Sequence, residues 1–330
     1  MMRVCIVSLF LLGAAVAAAQ AQTKATTPLP PKPPAEAAKP ATGDAKPDDA
    51  NTDVAYGAYQ RGYYLTALAE ATKRAEQNDR AAMTLIGQIY AQGLGVGRDD
   101  AKATQWFKLA ASHGDSDAMF ALAMFAFEGR GGARNPQEGA RLLAEAAKLG
   151  HAIAQYDLGL LYLDGKQFPQ DFKRAAELFG QAAFSGNPEA QYALATMYKE
   201  GRGVDKDIDQ AMRLMHAAAT AGNLDAMVEY AIAEFNGEGA AKNESDAAAL
   251  FLKAARRGSA IAQNRLARIL MAGRGMPANP AEAIKWHIIA KAGGSGDPEL
   301  DVYASKQSKE DQDKARKAAD KWLSTVTPRS

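Results

Sequence analysis

Apolar residues along this chain keep helical spacing, and the spacing itself repeats. In "NPEAQYALATMYKE", residues 187–200, Ala190, Leu194, Met197 and Tyr198 fall at i, i+4, i+7 and i+8, which is one face of a helix. Ala211, Leu214, Met215, Ala218 and Ala219 trace a second such face. The two stretches predict a pair of amphipathic helices.

The pair recurs with a period of 36 residues. Gly114, Gly150, Gly186, Gly222, Gly258 and Gly294 form one series, with Asn78 a step earlier, and Gly93, Gly129, Gly165, Gly201, Gly237 and Gly273 form another. A glycine series at the end of each apolar stretch marks where helices stop. Ala82, Ala118, Ala154, Ala190, Ala226 and Ala262 make one alanine column, and Ala110, Ala146, Ala182, Ala218, Ala254 and Ala290 another. Alanine recurring at fixed positions predicts that two helix backbones meet there. Large apolar residues such as Leu122, Leu158, Leu194 and Leu266 fall between. Six copies without an insertion predict a repeat architecture.

Gly201-Arg202-Gly203 has the look of a phosphate-cradling loop. Such a loop follows a strand and opens a helix, so that backbone N–H groups face the anion. Here the glycines follow a helix, as do Gly93-Leu94-Gly95, Gly129-Arg130-Gly131, Gly237-Glu238-Gly239 and Gly273-Arg274-Gly275. They are punctuation between helices. The copies are not uniform: Gln167 replaces the second glycine of the third, and Glu234 replaces the helix tyrosine of the fifth.

The pattern A-x-x-x-L-[GA]-x-x-Y-x-x-G-x-G-V, followed by A-x-x-[LW]-[FM]-x-x-A-A-x-x-G, resembles the Sel1-like repeat, a relative of the tetratricopeptide repeat. "AAMTLIGQIYAQGLGVGRDDAKATQWFKLAASHG", residues 81–114, and Ala190 to Gly222 are the best copies. The resemblance implies an all-α fold, an α/α solenoid in which helix-turn-helix repeats form a right-handed superhelix over residues 53–294. In the related tetratricopeptide fold the first helix of each pair lines the concave side. Stepping by the period along that helix then places Phe120, Tyr156 and Tyr192 in one groove-facing column and Phe127 and Phe235 in a neighbouring one. Met124 and Leu160 lie beside these anchors, and Glu128, Asp164 and Glu200 form a carboxylate row next to them, which is expected to favour encounter with a basic partner segment and to weaken with salt. Exposed aromatic patches mark interaction sites, although the same rings could equally cover the seams between repeats. The resemblance implies a protein or peptide partner, with no catalytic residue, no cofactor and no metal.

Composition narrows the picture at the ends. The 39 basic and 38 acidic side chains nearly cancel, which argues against nucleic acid as the partner. Residues 1–21 have one Arg, an apolar run too short to span a bilayer, and small residues at Ala17, Ala19 and Ala21, the order of a cleaved secretory signal peptide. Cys5, the one cysteine, lies inside that segment and outside any lipobox, so no stable membrane insertion is expected after cleavage. Residues 22–52 are rich in Pro, Ala and Lys with little to bury, and read as a disordered linker. Residues 54–78 resemble a shortened opening pair of helices, and residues 295–330 capping helices whose Trp322 packs back on the last repeat.

Candidate chemistry is sparse. His113, His151, His216 and His287 occupy different phases of the repeat, which predicts surface or rim histidines rather than metal ligands. No nucleophile-elbow, P-loop or S-x-x-K pattern occurs in the chain. The sequence therefore reads as a non-enzymatic periplasmic or secreted scaffold or regulator with a partner in the cell envelope. Similar proteins are tied to envelope assembly, exopolysaccharide control or signalling. The alternative is a cell-wall or glycan-binding protein, or an envelope hydrolase using a carboxylate pair. The export reading predicts that the intact mass of the exported protein lacks the residues up to Ala19 or Ala21. A mass that still includes Cys5 would contradict it.

Overall fold

The computed structural model describes residues 54–326. The expected signal peptide at 1–21 and linker at 22–52 lie outside the described residues. Among the described residues the structure is all helix, sixteen helices with no strand, in the α/α-solenoid class of tandem repeats. Contacts group the chain into two compact units, one ending at Gln170 and one beginning at Asp171.

The first unit holds α1 (Val54–Gln60), α2 (Tyr64–Ala75), α3 (Arg80–Gln92), α4 (Asp100–Ser112), α5 (Ser116–Glu128), α6 (Pro136–Lys148) and α7 (Ala152–Asp164). Its core gathers Met83, Ile86, Ile89, Phe107, Leu122 and Phe125 around small alanines. Phe107 meets Phe125 edge-on at 5.6 Å and presses on α3 at Gly87, where a methyl group would collide with the ring. The second unit holds α8 (Phe172–Phe184), α9 (Pro188–Glu200), α10 (Ile208–Ala221), α11 (Leu224–Asn236), α12 (Glu244–Arg256), α13 (Ala260–Ala272), α14 (Pro280–Ala292), α15 (Pro298–Ser305) and α16 (Lys309–Val326). Met215, Met227, Phe251, Leu266, Trp286 and Ile289 fill its core. Trp322 of α16 meets Trp286 at 6.3 Å, so the last helix does return to the final repeat.

Both alanine columns are fully enclosed: every member is 0% exposed except Ala82, at 3%. One residue per repeat ties the two columns together. Asn187 donates its N–H to the Ala182 carbonyl at 3.0 Å, and its side chain accepts the Ala190 N–H at 2.8 Å. Asn223 does the same between Ala218 and Ala226, and Asp115 between Ala110 and Ala118. His151 and Ser259 occupy the same place. Each of these residues ends one helix and caps the next, satisfying donors that a helix start otherwise leaves open. The second helices have their own cap series, in which Asp99, Asn135, Asp171, Asp207, Asn243 and Asn279 accept backbone N–H groups of the first turn.

The glycine turns serve the same close packing. Gly203 has φ 72°, and a side chain there would collide with the Phe172 carbonyl. Where Gln167 stands in place of such a glycine, α7 still ends at Gly165, and Phe168 stacks on Tyr162 at 5.0 Å. At the other departure, burial and the nearby Asp246 push the Glu234 carboxyl above the usual range, and its Oε2 is buried without a hydrogen bond among the described residues.

Two stability outcomes follow from this packing. Gly203→Ala should lower the denaturation free energy by more than about 1 kcal/mol, because a left-handed, crowded site gains a side chain. Gly180→Ala, inside α8 with open space around the added methyl, should raise it by about 0.5–1 kcal/mol; denaturant midpoints of both variants check the pair. On α7, burial pushes the half-buried Asp157 up to about 7, with His151 opposing in part. A carboxyl raised in the folded state favours folding while protonated and loses that advantage as pH rises from about 4 through 7. Asp157→Asn should therefore melt higher than the parent at pH 8 and close to it at pH 4, and an equal difference at both values would contradict this.

Candidate functional site

The anticipated anchors lie on the first helix of each repeat, and the structure places all of them half-buried. In the first unit, Phe120 of α5 stacks on His151 at 4.6 Å and 19°. His151 is itself fixed: Nδ1 accepts the Ala154 N–H, while Nε2 lies 3.3 Å from Asp117. That contact holds the Asp117 carboxyl below the usual range. Phe127 lies with its ring against Gly139 of α6, so close that a Cβ there would sit 3.0 Å from the ring carbons. It closes the seam between the two helices of its repeat. Met124 on α5 and Tyr156 and Leu160 on α7 keep part of their surface open.

In the second unit, the Tyr192 hydroxyl donates to Glu229 at 2.8 Å, and Lys199 donates to the same carboxylate at 3.1 Å. Burial and then the Glu229 carboxylate push the Tyr192 phenol well above its ordinary value. Phe235 of α11 lies under the Arg274 guanidinium, 4.5 Å from its ring centre. Tyr192 and Phe235 thus each hold a contact to the following repeat while presenting one edge outward.

The carboxylate row differs from its simplest reading. Glu128 lies 3.9 Å from Arg130, Asp164 2.7 Å from Lys166 and Glu200 3.3 Å from Arg202. Each acid is matched by a cation two positions on, so the row offers little net charge to a basic partner. These loop cations also pack. Arg130 lies 4.1 Å from the Phe125 ring and bonds Asp100 at 2.7 Å, and Arg202 covers Phe172 at 4.5 Å. Arg130 and Arg98 together hold the Asp100 carboxyl far below its usual range. Arg274 repeats the Arg130 arrangement, bonding Glu244. The arginine in Gly-Arg-Gly is a clamp on the preceding repeat.

One histidine expectation is overturned. His287 is 2% exposed rather than at the rim; the non-repeating α15 and α16 pack on α14, and Asp301 of α15 lies 2.8 Å from its Nε2. Among the described residues no cluster of three or more His, Cys, Asp or Glu could hold a metal ion, and no helix is long and apolar enough to cross a membrane.

The Sel1 repeat family matches six consecutive segments, 80–115, 116–151, 152–187, 188–223, 224–259 and 260–295. No curated protein shows a significant match. Among solved structures, a Sel1 repeat protein from Oxalobacter formigenes is similar at 27% identity with a TM-score of 0.61, covering 72% of this chain and 94% of the other. A protective antigen of uropathogenic Escherichia coli with an SLR fold shares the fold at 24% identity and a TM-score of 0.53, covering 81% and 68%. Sel1 repeats are generally protein–protein interaction modules, and the family is typically non-catalytic. Six tandem matches spanning more than half of the sequence, on the helix pairs described above, make this chain a member of the Sel1 repeat family.

Proposed function

We propose that this protein is a non-enzymatic scaffold or regulator of the periplasm that holds a protein or peptide partner through the outward edges of its first helices. The observation that carries the reading is the set of aromatic side chains on those helices. Phe120, Tyr192 and Phe235 are half-buried and each held by a neighbour, His151, Glu229 and Arg274 in turn, yet have surface left to offer, and Tyr156 is half-buried as well. Rings held in this way lose little freedom when a partner covers them, which is why aromatic residues dominate interface energetics. The periplasmic assignment rests on the order of charge, apolar run and small residues in the first 21 positions. A link to envelope assembly, exopolysaccharide control or signalling rests on resemblance alone.

Affinity capture of envelope proteins on the full exported chain tests the reading. One partner should be enriched, and it should bind a Phe120→Ala, Tyr156→Ala double variant at least tenfold more weakly, as loss of true anchors costs about 2 kcal/mol or more. The variant's melting curve shows that the fold survives. No enriched partner, or unchanged affinity in a folded double variant, would overturn the proposal.

A further inference from the structure

The second unit carries a cleft that the aromatic columns do not explain. It lies between α11 and α13 and encloses about 340 Å³. Its apolar wall is built from Ile232, Phe235, Phe251, Ile269 and Met271. The charged side chains that line it are all arginines, Arg265, Arg268 and Arg274, with no carboxylate among the lining groups. An adjoining cavity of about 580 Å³, reaching Asn264, Ser295 and Pro298, shares Arg265 and Arg268 with the first; its one carboxylate, Asp297, is the group that Arg268 binds. The two form a trough that runs past the arginines.

The three guanidiniums are not equivalent. Arg268 donates to Asp297 at 2.6 Å and to Glu299 at 2.8 Å. Arg274 is stacked on Phe235 and bonded to Glu244. Arg265 is exposed and, among the described residues, makes no hydrogen bond or ion pair. The position one repeat earlier is Glu229, whose carboxylate is already engaged by Tyr192 and Lys199. A cation with an unused planar fork therefore stands at the junction of an apolar cleft and an open channel.

We propose that this trough binds an extended internal segment of a partner protein that carries an aspartate or glutamate beside a large apolar residue. The carboxylate pairs with Arg265, whose fork geometry matches two carboxylate oxygens, and the apolar side chain enters the cleft against Phe235 and Met271. A uronic-acid polymer would supply the carboxylate too. Its hydroxyls could reach Asn236 in the cleft and Asn264 in the second cavity, but most of the cleft wall, Ile232, Phe235, Phe251, Ile269 and Met271, would offer them no hydrogen bond. Because the trough continues past Arg265 into the second cavity, a segment passing through fits it better than a chain terminus. The proposal deepens the interaction reading given above and rests on it.

Selection of a random heptapeptide display library on the full chain tests it. Enriched sequences should pair Asp or Glu with an adjacent Phe, Leu or Met. Synthesised with blocked ends, they should bind at least tenfold more weakly to R265Q, and the Glu→Gln peptide should lose as much on the parent protein while losing little further on R265Q. R141Q, an exposed arginine of α6, should bind like the parent. Since Arg265 holds no partner within the fold, R265Q should melt as the parent does. Enriched peptides without the acidic–apolar pair, no enrichment, equal binding by R265Q, or oligo-uronates that bind in an Arg265-dependent way where no peptide does, would each overturn the proposal. In the envelope capture, a partner retained at full affinity by R265Q leaves the scaffold reading standing and removes the cleft, whereas capture of nothing by the parent removes the scaffold reading itself.

Discussion

The fold depends on how closely successive helices can approach at two alanine columns. Alanine stands at every position of both columns, and the columns at Ala118 to Ala262 and Ala110 to Ala290 are sealed from solvent at every repeat. Burial of so little apolar area per residue stabilises weakly on its own. What makes the contact specific is the residue at the turn between repeats. Asn187, Asn223, Asp115 and their equivalents join the last carbonyl of one column to the first N–H of the other. A side chain larger than alanine would push the helices apart and pull those caps out of reach. Packing and hydrogen bonding therefore fail together or hold together.

This arrangement decides which surfaces are left for function. The second helices present their alanine faces inward, and the Gly-Arg-Gly turns are drawn down by Arg130, Arg202 and Arg274 onto aromatic rings. The outward edges of the first helices remain, where residue type changes from repeat to repeat. Position 193 is an alanine, position 229 a glutamate and position 265 an arginine. A periodic backbone carrying a non-periodic charge pattern is how a repeat protein distinguishes one partner from another.

Periodic features were readable because each repeats the same residue. The alanine columns and both glycine series keep one residue type at a fixed step, and they correspond to buried helix contacts and left-handed turns. The cap column is equally periodic but carries no repeated letter, since Asp79, Asp115, His151, Asn187, Asn223 and Ser259 share a function rather than an identity. The site was less legible because its geometry is set by neighbours outside the column. Phe127 is drawn into a seam by Gly139 of the following helix. His287 meets Asp301 of α15, a non-repeating element outside the 36-residue period. The ion pairs of Glu128, Asp164 and Glu200 were visible two residues on, as Arg130, Lys166 and Arg202. With those cations included, the row is close to neutral.

The claim that the alanine columns govern the fold is tested most directly within a single helix. Ala254 and Ala249 both lie on α12, the first at 0% exposure in the column and the second on the open face. Leucine and alanine have similar helix propensities, so replacing each by leucine separates packing from helix formation. Denaturant unfolding of the two variants should show Ala254→Leu losing about 1–3 kcal/mol through overpacking and Ala249→Leu staying within about 0.5 kcal/mol of the parent. Equal stability of the two variants would contradict the account.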